Sequence, residues 1–378
     1  MKILIAGDYC PIGRAGESVE KKMFATVFQG VKSTIEDADY SIVNLECPIV
    51  DNVANPIDKC GPNLCCTTKG LEALKWAGFN CVTLANNHFL DYGESGVRDT
   101  LSACRTNNVD YVGGGLNIND ASKILYKNLN GRMMAIINCC EHEFSIASDN
   151  SAGSNPLNIV KQYYAIKEAQ GKADFIVVII HGGVELFWLP SSRMMETYKF
   201  FVDAGADAII NHHQHCYSGY EIYKGKPIFY GLGNFCFDGV GNGERWTNGY
   251  MVSLNLSDTN SISFDLLPYR QYDKNEGVHL MTGKEKENFF TTIKKYNEMI
   301  ADGANCEKEY QKWCDQNNAM YDIALNPAYS RYTFFLFKGF IGKRLLSKHK
   351  LLKQYDYLIN ESHIDRLRRA IKNKIAAK

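Results

Sequence analysis

Side chains that can bind metals follow several of the strands that the sequence predicts, each at the point where its strand ends. The residues at these strand ends are Asp8, Glu46, Asn87, His88, His181, His213 and His215. Because ligands of layered α/β proteins bind beyond the carboxyl ends of the strands, we expect these loops to converge on one crevice. A single polar residue after a strand is commonly a turn former or a helix cap, but this succession of acidic, amide and imidazole side chains favours a shared metal site.

The side-chain types in this set suit two divalent cations. A carboxylate can bridge two ions, and neutral imidazole and amide ligands add no negative charge. Ions held in this way would stay electropositive enough to lower the pKa of a bridging water and to neutralise an oxyanion that develops at phosphorus or carbon. Mn, Fe, Zn and Co all accept mixed Asn, His and carboxylate ligation, so the sequence does not select among them.

His213 and His215 are two residues apart in the sequence His212-His-Gln-His215. On an extended segment they would face the same side and could reach adjacent ions. His212 would then face away from the ions, and we expect it to be a structural histidine or one that supports a ligand.

The elements that must position these residues alternate between strands and helices. Apolar runs bounded by turn residues predict strands near residues 3–6, 40–45, 80–85, 133–138, 175–180 and 208–210, with amphipathic helices between several of them. This alternation indicates a layered α/β domain. Further predicted strands between residues 220 and 267 would close the domain as hairpins, so we expect it to cover residues 1–270, and residues 271–378 to form a helical C-terminal region.

The composition is that of a folded protein with no general attraction to nucleic acids. Of the 378 residues, 45% are hydrophobic and 22% are charged, and 42 basic residues balance 42 acidic ones. With zero net charge and no regular interleaving of aromatic and basic residues, we expect no nucleic acid partner. The 13 cysteines show no paired CxxC spacing, and we find neither a signal peptide pattern nor an apolar run that could span a bilayer. A cytoplasmic protein with reduced thiols is therefore expected.

The C-terminal tail has a basic character of its own. Residues 339–378 contain eleven Lys or Arg and three Asp or Glu. The overlapping segment Tyr332–Leu346 is aromatic and apolar, and it could lie on an anionic membrane surface at the inner face of the membrane, or contact a synthase. The alternative, which we favour, is a helix that docks on the core with its basic residues in solvent.

Several sequence blocks resemble those of a known family. They are Gly7-Asp8, Asn44-Leu-Glu46, Ala85-Asn-Asn-His88 with Asp91 and Gly93, His181-Gly182, Asp203-Ala-Gly-Ala-Asp207, His212-His-Gln-His215 and Tyr230-Gly-Leu-Gly-Asn-Phe235. In this order, over roughly residues 1–240, they resemble the bacterial capsule-synthesis CapA proteins, also called poly-gamma-glutamate biosynthesis proteins, of the calcineurin-like metallophosphatase superfamily. The resemblance implies a metallophosphatase-like, layered α/β/β/α core, followed here by the C-terminal helical appendage.

The resemblance also implies how the metal ligands would be shared. The first ion would be held by Asp8 and His215, the second by Asn87, His181 and His213, and Glu46 would bridge them. Cys10 stands where the superfamily has a histidine two residues after the first aspartate. The first ion would therefore be held more weakly, or by a different ligand.

The remaining candidate residues concern catalysis and substrate contact. By the resemblance, His88 would protonate the leaving group, a task that suits a side chain titrating near neutrality. Asp91 would orient His88 by accepting its other ring proton, or would instead cap the following helix. Arg14, Glu143 and Asn234 are candidates for contact with the substrate, although for Arg14 we favour the alternative of an arginine in solvent.

Two functions from different classes fit these residues. The first is a metal-dependent hydrolase that cleaves a phosphoester or a gamma-glutamyl amide in capsule or exopolymer biosynthesis, with an anionic polymer or a small molecule as substrate. The second is a non-catalytic accessory protein that binds polymer or synthase partners. A site that had lost its function should have lost ligands, and only the Cys10 position is open to question, so the sequence favours the enzyme.

Overall fold

The computed structural model describes residues 1–52, 54–238, 243–257, 262–317 and 348–376. Among these residues, no helix combines the length and the apolar character that a membrane span requires. The segment Tyr332–Leu346, for which the sequence left membrane contact and docking open, lies outside the described residues.

Strands account for most of the buried backbone. In chain order they are β1 (Lys2–Tyr9), β2 (Tyr40–Leu45), β3 (Cys81–Thr83), β4 (Asp110–Val112), β5 (Gly114–Gly115), β6 (Leu125–Leu129), β7 (Arg132–Cys140), β8 (Gly153–Ser154), β9 (Phe175–His181), β10 (Ala208–His212), β11 (Tyr220–Tyr223), β12 (Lys226–Phe229), β13 (Asn234–Cys236), β14 (Asn248–Leu256), β15 (Ile262–Gln271) and β16 (Val278–Leu280). Each of the strands predicted from an apolar run overlaps one of these.

Helices connect the strands and follow the last of them. In chain order they are α1 (Gly13–Glu20), α2 (Phe24–Phe28), α3 (Lys32–Glu36), α4 (Thr68–Ala77), α5 (Gly93–Thr106), α6 (Ile118–Ala121), α7 (Ile159–Gln170), α8 (Ser192–Ala204), α9 (Glu244–Thr247), α10 (Gly283–Ala301), α11 (Gly303–Asn317), α12 (Lys348–Ile359) and α13 (Glu361–Ala376). The boundaries of α4 follow ordinary rules: the Thr67 side chain accepts a hydrogen bond from the Lys69 backbone at its start, and Gly78 ends it in a left-handed conformation.

The long strands form two sheets. In the first sheet the spatial order is β16-β15-β14-β1-β2-β3-β4, with β13 paired to the end of β1. Strands β1 to β4 run parallel, and β14 to β16 extend the sheet in antiparallel fashion. In the second sheet the order is β11-β12-β10-β9-β7-β6, and its four central strands run parallel. The strand ends that carry the candidate ligands thus lie on neighbouring parallel strands of the two sheets.

Three hydrophobic clusters hold the layers together. One lies between the two sheets and includes Ile5 of β1 and Val177 of β9. Another packs α4 and α5 on the outer face of the first sheet, for example through Leu74 and Val97, and the third packs α8 on the second sheet through Phe201. Because the central strands are covered on both faces, they are apolar over most of their length, and polar residues follow at their carboxyl ends. The predicted layered α/β/β/α fold with C-terminal helices is confirmed.

Helices α10 and α11, which follow the last strand, join the hydrophobic clusters of the layered domain. The first sheet continues to β16, beyond residue 270, and Phe289 and Ile293 of α10 then enter the cluster between the sheets. Tyr310 of α11 joins the cluster outside the second sheet, where its ring packs 5.1 Å from that of Phe187. Helices α12 and α13 pack against each other through Tyr357 and Ala370, and α13 also contacts α11.

Candidate metal centre and active site

The end of β1 positions Asp8 between two neighbouring strands. Asp8 pairs with Asn44 of β2 and with Asn234 of β13, and the pairing with β2 shifts in register just before it. A side chain at Gly7 would bring a Cβ atom within 1.9 Å of the Gly233 carbonyl oxygen, so only glycine permits this approach. The Asp8 carboxylate is almost fully buried, and its Oδ1 accepts a hydrogen bond of 2.8 Å from the Asn44 amide.

Glu46 follows β2 and presents an unsatisfied carboxylate to the same point. It is fully buried, and among the described residues neither of its oxygens has a hydrogen-bond partner. Burial, followed by the nearby charge of Asp8, raises its pKa well above the usual range. A buried carboxylate without partners is costly, and a cation next to it would remove that cost.

The second sheet supplies the histidines, which face Glu46 across the crevice. His181 ends β9, and its Nε2 lies 3.4 Å from the Glu46 carboxylate, 3.0 Å from the Asn87 side-chain oxygen and 3.0 Å from Nδ1 of His213. His215 Nε2 lies 3.7 Å from the same Glu46 oxygen. Two ring nitrogens at 3.0 Å can share one proton or a cation, and burial lowers the pKa of both His181 and His213, which favours their neutral, ligand form.

The expectation that His212 faces away from the ligands is wrong, whereas its position beside Asp8 agrees with the expectation that it supports a ligand. Its Nδ1 lies 3.3 Å from the Asp8 carboxylate. Although burial acts to raise the pKa of Asp8, the neighbouring imidazoles of His212, His181 and His215 together hold it below its usual range. The alternation rule fails because β10 ends at His212, after which His213 and His215 adopt left-handed conformations with φ of 89° and 55°.

These residues form two groups of ligand atoms that share one carboxylate. The candidate atoms of Glu46, His181 and His213 all lie within 4.8 Å of one another, and so do those of Asp8, Glu46 and His215. Every member is buried, and carboxylate, imidazole and amide atoms are the ligands that first-row divalent metals accept. The chain therefore holds a buried cluster whose chemistry fits divalent metal ions, at the strand ends that the sequence indicated.

His88 and Asp91 form a pair beside this cluster. Nδ1 of His88 lies 2.7 Å from the Asp91 carboxylate, which also accepts a hydrogen bond of 2.7 Å from the Leu64 backbone. Of the two roles the sequence left open for Asp91, contact with His88 is the one observed, since Tyr92 occupies the N-cap position of α5. Lys59, which sequence reasoning missed, contacts Asp91 and lies 3.1 Å from the same His88 nitrogen.

Glu143 and Asn234 also lie next to the cluster, in different positions. Glu143 has its carboxylate 3.8 Å from Nε2 of His213 and lines the cleft above the site, and burial raises its pKa. The Asn234 side chain lies below the site: its oxygen is 2.9 Å from Nδ1 of His215, and its amide donates to the carbonyls of His215 and Trp246. Asn234 is thus placed to orient a ligand, and substrate contact by Glu143 remains a prediction.

The structure does not bring Arg14 to this cluster. Its guanidinium pairs with both oxygens of Asp238 at 2.8 and 2.9 Å and donates to the carbonyl oxygens of Tyr272 and Asp273. These contacts hold Arg14 on residues that do not line the cleft. They correct the expectation of substrate contact in favour of a structural ion pair.

Cys10 belongs to neither group of candidate ligand atoms. The thiol is fully buried in the hydrophobic cluster outside the first sheet, and burial raises its pKa. The residue two positions after Asp8 is therefore a core thiol in this chain. His212 and His215 are the imidazoles that lie against Asp8, at 3.3 and 3.7 Å.

The cluster opens into a cleft of about 500 Å³. The sequence predicted only some of the residues that line this cleft. Its lower wall includes Asn87, His88 and His213, and Lys59 to Pro62 form one side. The remaining side comes from α11, α12 and α13, more than a hundred residues further along the chain. A cleft of this size over perturbed titratable groups is the usual form of an active site.

Two stacked sheets between helical layers, with a shared-carboxylate cluster at the strand ends, define a layered α/β/β/α protein with a candidate metal centre. The family model for the bacterial capsule synthesis protein PGA_cap matches residues 2–239, and the chain belongs to this family. It is 36% identical over 279 residues to the capsule biosynthesis protein CapA of Bacillus anthracis, covering 71% of this chain and 67% of the relative. It is 32% identical over 264 residues to the PGA biosynthesis protein CapA of Bacillus subtilis (strain 168), covering 68% of each.

Similar solved structures include a 5'-nucleotidase precursor from Thermus thermophilus. The TM-score is 0.41 at 12% sequence identity, over 75% of this chain and 54% of that chain. This remote likeness concerns the fold alone, and nothing about activity is taken from it.

Proposed function

We propose that this protein is a metal-dependent hydrolase that acts on a phosphoester or a gamma-glutamyl amide during the synthesis of a capsule or related exopolymer. The observation that carries the proposal is the Glu46 carboxylate, which is buried without hydrogen-bond partners among the described residues and is shared by two ligand groups. Relatives named for capsule and PGA biosynthesis support the polymer context.

The ligands divide between two ions in this proposal. Asp8 and His215 would hold the first ion. Asn87, His181 and His213 would hold the second ion, and Glu46 would contribute to both sites. Divalent ions bound there would supply an activated water and neutralise negative charge that develops on the substrate. Because the imidazoles and the amide add no negative charge, two divalent ions bound there would keep a net positive charge that attracts a substrate anion.

His88 would deliver a proton to the leaving group. Asp91 and Lys59 both lie at Nδ1, so Nε2 is the nitrogen left for a substrate. His88 lines the cleft, and Asp91, held by the Leu64 backbone and by Lys59, fixes the orientation of its ring. A positioned general acid of this kind contributes about 10²–10⁴-fold to the rate.

The decisive experiment combines metal content with hydrolysis. We expect the purified protein to contain about two divalent ions per chain and to cleave either a chromogenic phosphodiester or a gamma-glutamyl amide. His213→Ala should lose metal and activity together, since it removes a ligand. His88→Ala should keep its metal but lose about 10²-fold or more in kcat, since it removes the proton donor.

The matched control is His279→Ala, which removes an exposed histidine of β16 outside the cluster. It should retain both metal and activity. Protein that resists metal reconstitution and cleaves neither substrate would instead support an accessory protein that binds polymer or a synthase. We also propose that the protein is cytoplasmic. A separate proposal is that its basic tail contacts a membrane or a synthase.

A further inference from the structure

The segment that joins β2 to α4 is held in place by Asp91. Among the described residues of 46–67, none belongs to one of the helices or strands given above. Loops of this length without regular structure are commonly functional. The Ile57 backbone donates to the Asp91 carbonyl at 2.9 Å, and the Leu64 backbone donates to the Asp91 carboxylate at 2.7 Å. The loop that forms one side of the cleft is therefore attached to the residue that contacts His88.

The Lys59 side chain completes the contacts of this carboxylate. Its ammonium group pairs with Oδ1 of Asp91, while Oδ2 accepts from the Leu64 backbone and lies 2.7 Å from Nδ1 of His88. The Asp91 side chain is fully buried, and a buried carboxylate needs a compensating charge as well as hydrogen bonds. Lys59 supplies that charge. Without it, one carboxylate oxygen would lose its partner, and Asp91 could turn away from His88.

Lys59 lies beneath the surface of the cleft. It belongs to the residues around the cleft, but its side chain is only 3% exposed, and its ammonium group lies 3.1 Å from Nδ1 of His88. In the proposed reaction Nδ1 is the ring nitrogen that faces away from the substrate. A buried group at this nitrogen can fix the orientation of the ring, but it has almost no surface for contact with a substrate.

We propose that Lys59 is a positioning residue that holds Asp91 against Nδ1 of His88 and thereby keeps Nε2 of the ring directed into the cleft. This inference rests on the proposed function. In that reaction, hydroxide formed from water makes the new bond to phosphorus or carbon as the bond to the leaving group breaks. The leaving oxygen or nitrogen takes its proton from Nε2 of His88, and the proton released by the water restores His88. A ring that is poorly oriented slows the step in which this proton is needed.

The first test compares leaving groups on the metal-loaded full chain. Within the class of substrate that is hydrolysed, one compound has a nitro-substituted ring as its leaving group. A second compound has an unsubstituted ring, whose more basic leaving atom depends more on a proton donor. Lys59→Met, which keeps the length of the side chain but removes the charge, should lower kcat about tenfold more for the second compound than for the first. KM should change less than about twofold, because Lys59 does not touch the substrate.

Two further variants complete this comparison. The double variant Lys59→Met/His88→Ala should be no slower than His88→Ala, because both side chains act on the delivery of one proton. The matched control is Lys69→Met, which breaks the exposed ion pair of Lys69 with Glu20 outside the cleft. It should leave kcat for both compounds within about twofold of the unaltered protein.

A second measurement does not depend on hydrolysis. In the zinc-loaded chain with isotope-labelled histidine, nuclear magnetic resonance should detect an Nδ1 proton of His88 that exchanges slowly with solvent, because Asp91 accepts its hydrogen bond. The signal is assigned by its absence from His88→Ala. Lys59→Met should speed this exchange about tenfold or more. If thermal melting shows that Lys59→Met is unfolded, Lys59→Gln, which also removes the charge, repeats both measurements.

Four outcomes would overturn the inference. Equal losses of kcat for the two compounds would mean that Lys59 supports only the fold, and a raised KM with unchanged kcat would mean that it contacts the substrate. The other two are a further loss in the double variant and unchanged exchange of the His88 proton. Faster exchange in Lys59→Met without any hydrolysis by the unaltered protein would refute the hydrolase and leave the positioning of His88 by Lys59 in place.

Discussion

The loop that follows β10 holds its histidines in a conformation that few residues adopt. A left-handed backbone costs about 1–2 kcal/mol at a residue other than glycine, and both His213 and His215 have it. Such strain persists where surrounding contacts hold it in place. Here the His213 backbone nitrogen donates to Asp8 at 3.3 Å, and the His215 ring contacts the Asn234 oxygen at 2.9 Å.

Asn234→Ala should lower metal affinity by about tenfold or more, because it removes the oxygen that fixes the ring of His215. Competition with a chelator of known affinity measures the effect. Asn275→Ala, at an exposed turn residue, is the control and should bind metal like the unaltered protein. Equal affinity in Asn234→Ala and the control would show that the Asn234 contact does not support the ligand.

The sequence predicted which residues come together at the site more accurately than it predicted how their side chains are oriented. Strand ends carrying Asp8, Glu46 and His181 follow from periodicity alone. The orientation of His212 does not, because the left-handed residues after it break the alternation on which the expectation depended. Arg14 likewise pairs with Asp238, which is 224 residues away, and no local pattern encodes such a contact.

At the scale of elements, the close approach of β1 and β13 is what brings Asp8 and Asn234 together. Asp8 donates its backbone N–H to the Gly233 carbonyl at 3.2 Å, and Gly7 leaves no room for a side chain. The sequence indicated the Gly7-Asp8 pair but not the partner strand, because β13 is only three residues long. Short strands of this kind carry too little periodicity to be recognised.

Gly7→Ala should reduce the free energy of unfolding by about 3 kcal/mol, because its Cβ atom would collide with backbone that cannot move without separating the strands. Urea denaturation of the metal-free protein measures this loss. Gly303→Ala, where no atom lies within 4 Å of an added Cβ, should change stability by less than about 0.5 kcal/mol. Similar stability of the two variants would contradict the close approach of β1 and β13.

At the scale of the whole molecule, the last two helices contribute to the site although they come last in the sequence. The apolar spacing of α10 and α11 predicted helices, and these do join the core. The docking of α13 depends instead on polar contacts to residues 141–143, more than two hundred positions earlier. Pairing over such a separation is not visible in a single sequence, so the wall of the cleft could be seen only in the structure.

The docking of α13 should weaken as pH rises. The hydrogen bond to Glu361 raises the pKa of His142 above its ordinary value of 6.5, so the contact gives its full stability below that value and loses it as pH rises through the higher value of the folded state. We expect faster proteolysis of the C-terminal helices at about pH 8 than at about pH 5.5, after correction for protease activity with an unstructured peptide.

His142→Gln should remove most of this pH dependence, whereas His279→Gln, which alters an exposed histidine on β16, should keep it. Helices that are equally protected at both pH values in the unaltered protein would show that the charged His142 contact with Glu361 does not contribute to docking.

The contacts of Glu141, His142 and Glu143 with the start of α13 also affect how the sequence of such a protein can diverge. These three residues and Arg193 connect α13 to the strand ends, so inherited changes in the last helices could reshape one side of the cleft while the strand ends stay constant. A designer could use the same joint to graft a foreign helical pair, provided that these three side chains found new partners. Chemistry and selectivity would then evolve on separate parts of one chain.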